Sequence, residues 1–267
     1  MSTQAFSPSE GDCGVVAAVS HKGHVRDRNE DAFHISIEDD GLVLVVCDGV
    51  SSTSGADVAA TVAARSSSTA LAEAMKRRPT ERVRQREYAR LAMSSAIRRA
   101  WEAVAAIPHH GLRTGAPSCT IVAAMFDGTE LTIGSVGDSR AYWVTERDAH
   151  CLTSDDSLAR EMELQGAPPL PVTDPLAHAI TRWIGAGAPD GEPEIISHCP
   201  AECGHLVLCT DGLWHYLRTA SELAALVRRV GSHGPSGIAQ SLVDRALAEG
   251  GHDNVTVAVA ATPKLHR

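Results

Sequence analysis

Four aspartates stand where apolar runs begin or end. Leu42-Val43-Leu44-Val45-Val46-Cys47 runs into Asp48-Gly49, and His205-Leu206-Val207-Leu208-Cys209-Thr210 runs into Asp211-Gly212. Leu131-Thr132-Ile133-Gly134-Ser135-Val136-Gly137 ends in Asp138, and Asp253-Asn254 opens the run Val255–Val259. Short apolar, Val-rich runs read as buried strands, so each carboxylate lies at a strand tip where the backbone leaves the core. The glycine after Asp48 lets the chain turn and leaves its own carbonyl uncovered. A single strand-end Asp usually just caps a turn; four of them argue for one shared acidic site. Hard divalent cations prefer such oxygens and keep several waters, so few protein ligands are needed. Asp48, Asp211 and Asp253 can hold one ion, and Asp48 with the Gly49 carbonyl a second. Two ions sharing a carboxylate lie ~3.5–4 Å apart and lower the pKa of a water trapped between them, giving a hydroxide able to attack phosphorus in line. Arg26 supplies a guanidinium, which matches phosphate oxygens bidentately. Glu30 and Asp31 follow closely and can accept hydrogen bonds from waters on the ions.

The elements that must position these groups follow from periodicity. Residues 13–20, 32–37, 42–47, 118–126, 129–136, 141–145, 194–199, 205–210 and 255–260 read as strands. Glu38-Asp39-Asp40-Gly41 and Asp127-Gly128 are hairpin turns, so their flanking strands are antiparallel neighbours. Helical spacing covers 56–77, with Val58, Val62, Leu71 and Met75 in step, and 81–107, with Ile97, Trp101 and Val104 on one face. Thr219-Ala220-Ser221-Glu222 is a capping box opening a helix that carries Leu223, Leu226, Val227 and Val230. A last helix, 236–248, stops at Gly250-Gly251. Strands, two helices, many strands, two helices and one strand make an α+β chain, in which helix pairs at two separate places can cover the outer faces of two packed antiparallel sheets. Residues 1–11 read as a loose tail and 12–262 as a single domain. The Pro-rich stretch at about 153–193, with a short helical piece near Ser157–Gln165, reads as an insertion beside the site.

Composition narrows the function. Aromatics are only 4% of 267 residues, so Val, Leu, Ile and Ala must fill the core. The net charge is −9, from 24 basic and 33 acidic residues. That argues against a nucleic-acid binder, which needs basic patches, and suits a site for cations. The seven cysteines, mostly within apolar runs, read as reduced, buried thiols of a cytoplasmic protein. No apolar run approaches the ~18 residues of a membrane span, and the N-terminus lacks a signal-peptide core.

The motifs in order are Arg26-x-x-Asn29-Glu30-Asp31, Val46-Cys47-Asp48-Gly49, Val136-Gly137-Asp138-Ser139-Arg140, Thr210-Asp211-Gly212-Leu213 and Asp253-Asn254-Val255-Thr256. In this order and spacing, across roughly 13–260, the chain resembles the compact bacterial form of the metal-dependent serine/threonine protein phosphatases (PPM, type 2C). The resemblance implies hydrolysis of phosphoserine and phosphothreonine by a metal-activated water, without a phosphoenzyme, in opposition to bacterial Ser/Thr kinases. It implies a four-layer α-β-β-α sandwich of two antiparallel sheets flanked by helix pairs, with Mn²⁺ or Mg²⁺, two per site, between the sheets, in a monomer. Asp48 would bridge both ions, Gly49 would lend its carbonyl to the second, and Asp211 and Asp253 would complete the first. Asp138, with Asp211, matches a weaker third site, Arg26 the phosphate-binding arginine, and the 153–193 insertion the flap that shapes substrate choice. Catalysis would rest on Arg26, Asp31 and Asp48, with Glu30 and Asp31 behind the metal waters. Two segments depart from the pattern. Val50-Ser51-Ser52-Thr53 replaces the usual Met-Gly-Gly-His, and Ser118-Cys119-Thr120 the usual Gly-Thr-Thr. No His follows Asp48-Gly49, so leaving-group protonation would fall to a metal-bound water.

Two other functions compete. One is a catalytically silent relative that binds phosphoproteins; the retained Asp48, Asp211, Asp253 and Arg26 speak against it. The other is a phosphatase dedicated to one transcriptional regulator; such relatives generally lack the first-motif arginine, so Arg26 favours a broader role. His198, Cys199, Cys203 and His205 form a local cluster that reads as thiols and surface histidines in preference to a zinc site. Asp155-Asp156 reads as a solvated helix start, with Asp156 a candidate to reach the site from the insertion.

Overall fold

The structure, a computed structural model, describes residues 3–6, 15–38, 41–109, 115–170, 174–189 and 191–262. Strands β1 (Thr3–Phe6), β2 (Val16–His21), β3 (Ala32–Glu38) and β4 (Gly41–Cys47) precede helices α1 (Ala56–Lys76) and α2 (Arg82–Ala105). Then come β5 (Ser118–Cys119), β6 (Ile121–Phe126), β7 (Leu131–Val136), β8 (Arg140–Val144) and β9 (Ala149–Cys151). Helix α3 (Leu158–Leu164) leads to β10 (Ile184–Gly185), β11 (Glu194–His198) and β12 (His205–Cys209). The single turn α4 (Asp211–Trp214), helices α5 (Ala220–Val230) and α6 (Gly234–Ala248), and β13 (Val255–Ala261) complete the chain.

Two antiparallel sheets result. One has the order β1-β2-β13-β12-β8-β9 and the other β11-β7-β6-β4-β3, with β5 and β10 as a small separate ribbon. Side chains alternate between the two faces of a strand, and both faces are buried here, which explains the unbroken apolar runs. In β4, Val43, Val45 and Cys47 pack toward α1 and α2. Leu42, Leu44 and Val46 pack between the sheets. In β12, Val207 and Cys209 face α5 and α6, whereas Leu206 and Leu208 face the opposing sheet. Three apolar layers therefore separate four layers of secondary structure, as the sandwich requires.

Some local expectations differ. The buried stripe of α1 is built from Ala56, Ala59, Ala60, Ala63, Ala64 and Leu71, with Ser67 and Ser68, while Val58 is 47% exposed. Small residues bring the helix backbone close to the sheet, so the alanines carry most of the contact, while Val62 packs at its edge. The strand expected over 118–126 is interrupted at Thr120, which leaves the ladder to bond Asp48. The Thr219–Glu222 capping box is present, and β3 and β4 pair antiparallel; the tip of their turn, residues 39–40, lies outside the described residues. Within the segment expected to be loose, Thr3–Phe6 pairs with Ala18–His21, where the open edge of β2 offers unpaired backbone groups; the rest of 1–11 lies outside the described residues. Cys47, Cys119 and Cys209 are buried, but Cys151, Cys199 and Cys203 are exposed, and all six are free thiols. The exposed three sit at sheet edges and in connections where a second layer does not cover them. Cys13 lies outside the described residues. Among the described residues, no helix is long and apolar enough to cross a membrane.

Leu208 is fully buried between the sheets. Leu208→Ala should lower the unfolding free energy by about 2–5 kcal/mol, measured by urea denaturation. Leu91→Ala, at a site 64% exposed, should change it by less than about 0.5 kcal/mol.

Candidate active site

The strand-end carboxylates gather at one end of the sandwich. Asp48 leaves the end of β4 in one sheet; Asp211 follows β12 in the other, and Asp253 lies just ahead of β13, the neighbour of β12. Asn254 ties the second wall to the first. Its Oδ1 accepts from Glu30 N at 2.7 Å, and its Nδ2 donates to the carbonyls of Lys22 and Arg28, both at 2.8 Å. Asn29 Nδ2 donates to Ser20 Oγ at 2.8 Å, and Gly49 N donates to the Glu30 carbonyl at 3.1 Å. The charged loop that lacks apolar periodicity is thus held by side-chain and backbone hydrogen bonds. Gly212 packs so tightly on this frame that a Cβ there would stand 1.9 Å from the Asn254 carbonyl oxygen.

Each acidic group has a defined setting. Arg26 Nη2 donates to Asp253 Oδ2 at 2.7 Å. Thr256 N donates to Thr210 Oγ1 at 3.0 Å, which aims the Thr210 hydroxyl at Asp31 Oδ2, 2.9 Å away. Asp31 Oδ1 is buried without a hydrogen-bond partner among the described residues. Asp48 is held through its backbone: Thr120 N donates to its carbonyl at 2.8 Å, and its own N–H donates to Thr120 Oγ1 at 3.3 Å. Thr120 Oγ1 also bonds Ser139 Oγ at 2.8 Å, linking Asp48 to the turn that carries Asp138. Asp48 and Asp211 lie close enough for each to influence the other's ionisation.

Burial and mutual repulsion dominate the electrostatics. Burial pushes the Asp31 carboxyl up to about 8, against the nearby hydroxyls of Thr256 and Thr210 and reinforced by Asp211 and Asp253. Burial and the charges of Asp31, Asp211, Asp138 and Asp253 raise Asp48 well above the usual range. Burial and the neighbouring Asp211 and Asp155 do the same to Asp138. Asp211 rises to about 6 through burial and Asp253, tempered by Asp48 and by Arg26. Burial opposes the Arg26 charge, yet its bond to Asp253 raises it overall. Like charges forced together in a dry setting disfavour ionisation of all of them.

This donor set fits hard divalent cations in its chemistry: all-oxygen, anionic, and short of positive charge. Among the described residues, however, no three His, Cys, Asp or Glu side chains already stand as a coordination set. Charge is balanced instead by Arg26 and by protons on the carboxylates. The same holds for His198, Cys199, Cys203 and His205, which form no metal group.

The structure adds residues that sequence reading left out. His215, at the end of α4, approaches Asp211 with Nδ1 4.0 Å from Oδ2, and its Nε2 lies 3.2 Å from Nε2 of His178 in the insertion. Its place four residues after Asp211, one helical turn on, was the available signal. Burial and His178 push the His215 imidazole down to about 4. Trp214 Nε1 donates to the Asp138 carbonyl at 2.9 Å, and the Arg140 guanidinium lies 3.9 Å from the Trp214 ring centroid. Asp155 and Asp156 are not a solvated helix start. Asp155 receives two bonds from Arg140, at 2.9 and 2.6 Å. Asp156 accepts from Gly137 N at 3.0 Å and Arg182 Nη1 at 3.2 Å. These pairings tie the insertion to the Asp138 turn and leave both carboxylates only partly exposed.

A carboxyl whose folded-state pKa is raised stabilises the fold below its unfolded value and loses that contribution as pH rises through the folded value. Asp31 is ionised in the unfolded chain throughout pH 6.5 to 8, but in the fold it gives up its proton only near 8. Chelator-treated protein should therefore lose stability over this window, by about 1–2 kcal/mol from Asp31 alone. Urea unfolding at the two pH values measures it, and Asp31→Asn should flatten the slope. An equally steep slope in that variant would assign it to other groups.

The sequence model of the Protein phosphatase 2C family matches residues 20–248. The chain is 26% identical over 242 residues to the serine/threonine phosphatase Stp of Listeria monocytogenes serotype 4b (strain F2365), covering 88% of this chain and 91% of that protein. The crystal structure of the Mycobacterium tuberculosis serine/threonine phosphatase PstP/Ppp superposes with a TM-score of 0.73 at 25% identity, over 93% of this chain and 98% of that one. The catalytic domain of PstP in complex with two manganese ions has the same fold, with a TM-score of 0.69 at 24% identity over 93% of this chain and 98% of that one. The chain belongs to the protein phosphatase 2C family, a family of protein serine/threonine phosphatases.

Proposed function

We propose that this chain removes phosphate from phosphoserine and phosphothreonine in proteins, opposing Ser/Thr kinases in cytoplasmic signalling, with water activated between two divalent ions. The observation that carries the reading is the cluster of Asp31, Asp48, Asp138 and Asp211, each raised by burial and by neighbouring carboxylates, beside Arg26. Asp48, the Gly49 carbonyl, Asp211 and Asp253 are the groups that would hold the pair, and Asp138 with Asp211 a weaker third ion. Manganese is favoured because a protein of the same fold holds two manganese ions; magnesium suits the same oxygen donors. The ions, when bound, supply Lewis-acid polarisation of the phosphate and a potent nucleophile from water.

The chain's own residues supply the rest. Arg26 uses one N–H on Asp253, and a guanidinium carries five, leaving donors for phosphate oxygens. Asp31, with one oxygen on Thr210 and one without a partner, offers an acceptor for a water near Asp48; Glu30 is the second such acceptor. Ligand carboxylates must lose their protons to bind cations, so metal affinity rises with pH. The catalytic unit is taken as one domain over 12–262, with 153–193 as a flap, acting as a monomer.

Hydrolysis of p-nitrophenyl phosphate tests this directly. Turnover should need added Mn²⁺, stop with chelator, and vanish in Asp48→Ala. Arg26→Ala should retain metal binding, read by calorimetry, while losing on the order of 10²-fold in kcat/KM. Full activity in chelator, or in Asp48→Ala, would rule the mechanism out.

A further inference from the structure

A cleft of about 470 Å³ opens between the insertion and the core, beside the carboxylate cluster. Trp214, His215 and Arg218 form its core wall; Arg160, Leu170 and His178 line the insertion side. Its inner end reaches the site, since His215 lies 4.0 Å from Asp211 and Trp214 holds the Asp138 carbonyl. The contact between His178 and His215 joins the two walls.

The charges in this cleft differ in how fully they are used. Arg140, at its floor, is neutralised by donating two bonds to Asp155 and covers Trp214. Arg160 bonds Ser154 Oγ at 3.3 Å and has one carboxylate partner, the exposed Glu163 three residues on at 3.3 Å, and such surface pairs are weak. Arg218 is exposed and bonds only a backbone carbonyl, that of His215, at 3.3 Å. Among the described residues no carboxylate lies within ion-pair distance of it. Glu222, which feels its charge, is committed to capping α5. In a chain of net charge −9, this cationic edge runs against the overall sign, in a cleft that opens beside the carboxylate cluster.

We infer that this cleft binds the chain flanking the phosphoresidue and that Arg218, assisted by Arg160, selects acidic side chains there. The inference rests on the phosphatase reading and names its substrate class. An apolar flanking side chain can rest on Leu170, while a carboxylate meets Arg218. A nucleic acid would need a longer run of cations than these two arginines offer.

The test uses three phosphoserine peptides, with Glu, Ala or Lys at two positions on each side, and p-nitrophenyl phosphate, which has no flanks. Wild type should favour the Glu peptide over the Ala peptide by three- to tenfold in kcat/KM, and added salt should shrink the ratio. Arg218→Ala should erase the preference and Arg218→Glu should turn it toward Lys, with p-nitrophenyl phosphate turnover within twofold of wild type. Fluorescence anisotropy of labelled peptides reads the same selectivity without turnover. Absent p-nitrophenyl phosphate hydrolysis would therefore sink the phosphatase reading, while anisotropy still judges the cleft. Equal binding of the Glu and Ala peptides, or a preference that survives in Arg218→Ala, would overturn the inference. Melting temperatures of both variants control for folding.

Discussion

Carboxylates crowded at the dry end of a β-sandwich repel one another, and the structure around them answers that repulsion. Ionising any of Asp31, Asp48, Asp138 or Asp211 places a charge beside others in a region poor in water. Such a cluster persists only where counter-charge is available. Arg26 supplies part of it through Asp253, and protons on the carboxyls supply the rest. A dication is the natural replacement for those protons. The proposed requirement for metal and the electrostatic strain of the site are then two descriptions of one arrangement.

Holding that strain requires a frame that does not relax. The apolar layers between the sheets and beneath both helix pairs fix the strands. At the strand ends, where the apolar contacts stop, hydrogen bonds take over. Asn254 satisfies the backbone at Lys22, Arg28 and Glu30, so one side chain sets the path of the loop carrying Arg26 and Asp31. Thr120 does the same for Asp48 and the Asp138 turn. The close approach of Gly212 to the Asn254 carbonyl explains why glycine follows Asp211.

The insertion is attached differently. Helix α3 buries none of its residues, and Leu164 is 71% exposed. Apart from Ile184, which is buried in the core, its ties to the core are polar: Arg140 to Asp155, Gly137 to Asp156, and the His178–His215 contact. Few apolar contacts and many hydrogen bonds at the surface mark a region of low local stability. A wall of that kind can adjust to substrate chains of different shape without disturbing the frame around Asp48.

The alternation of apolar residues, the hairpin turns and the capping box at Thr219 made the four layers legible from the amino-acid order alone. So were Asp48, Asp138, Asp211 and Asp253, because a carboxylate ending an apolar run is a local pattern. Other features depend on contacts between residues far apart in the chain and leave no local trace. Asp155 and Asp156 look like solvent-facing charges until Arg140, Arg182 and Gly137 are brought to them. Val58 and the alanines of α1 both keep helical spacing, and only the distance to the sheet decides which set is buried. His215 and His178, separated by 37 positions, meet only when the insertion folds back on α4. Local patterns report which groups a chain carries to its strand ends; which of them share a charge, and what lies beside them, is set by long-range packing.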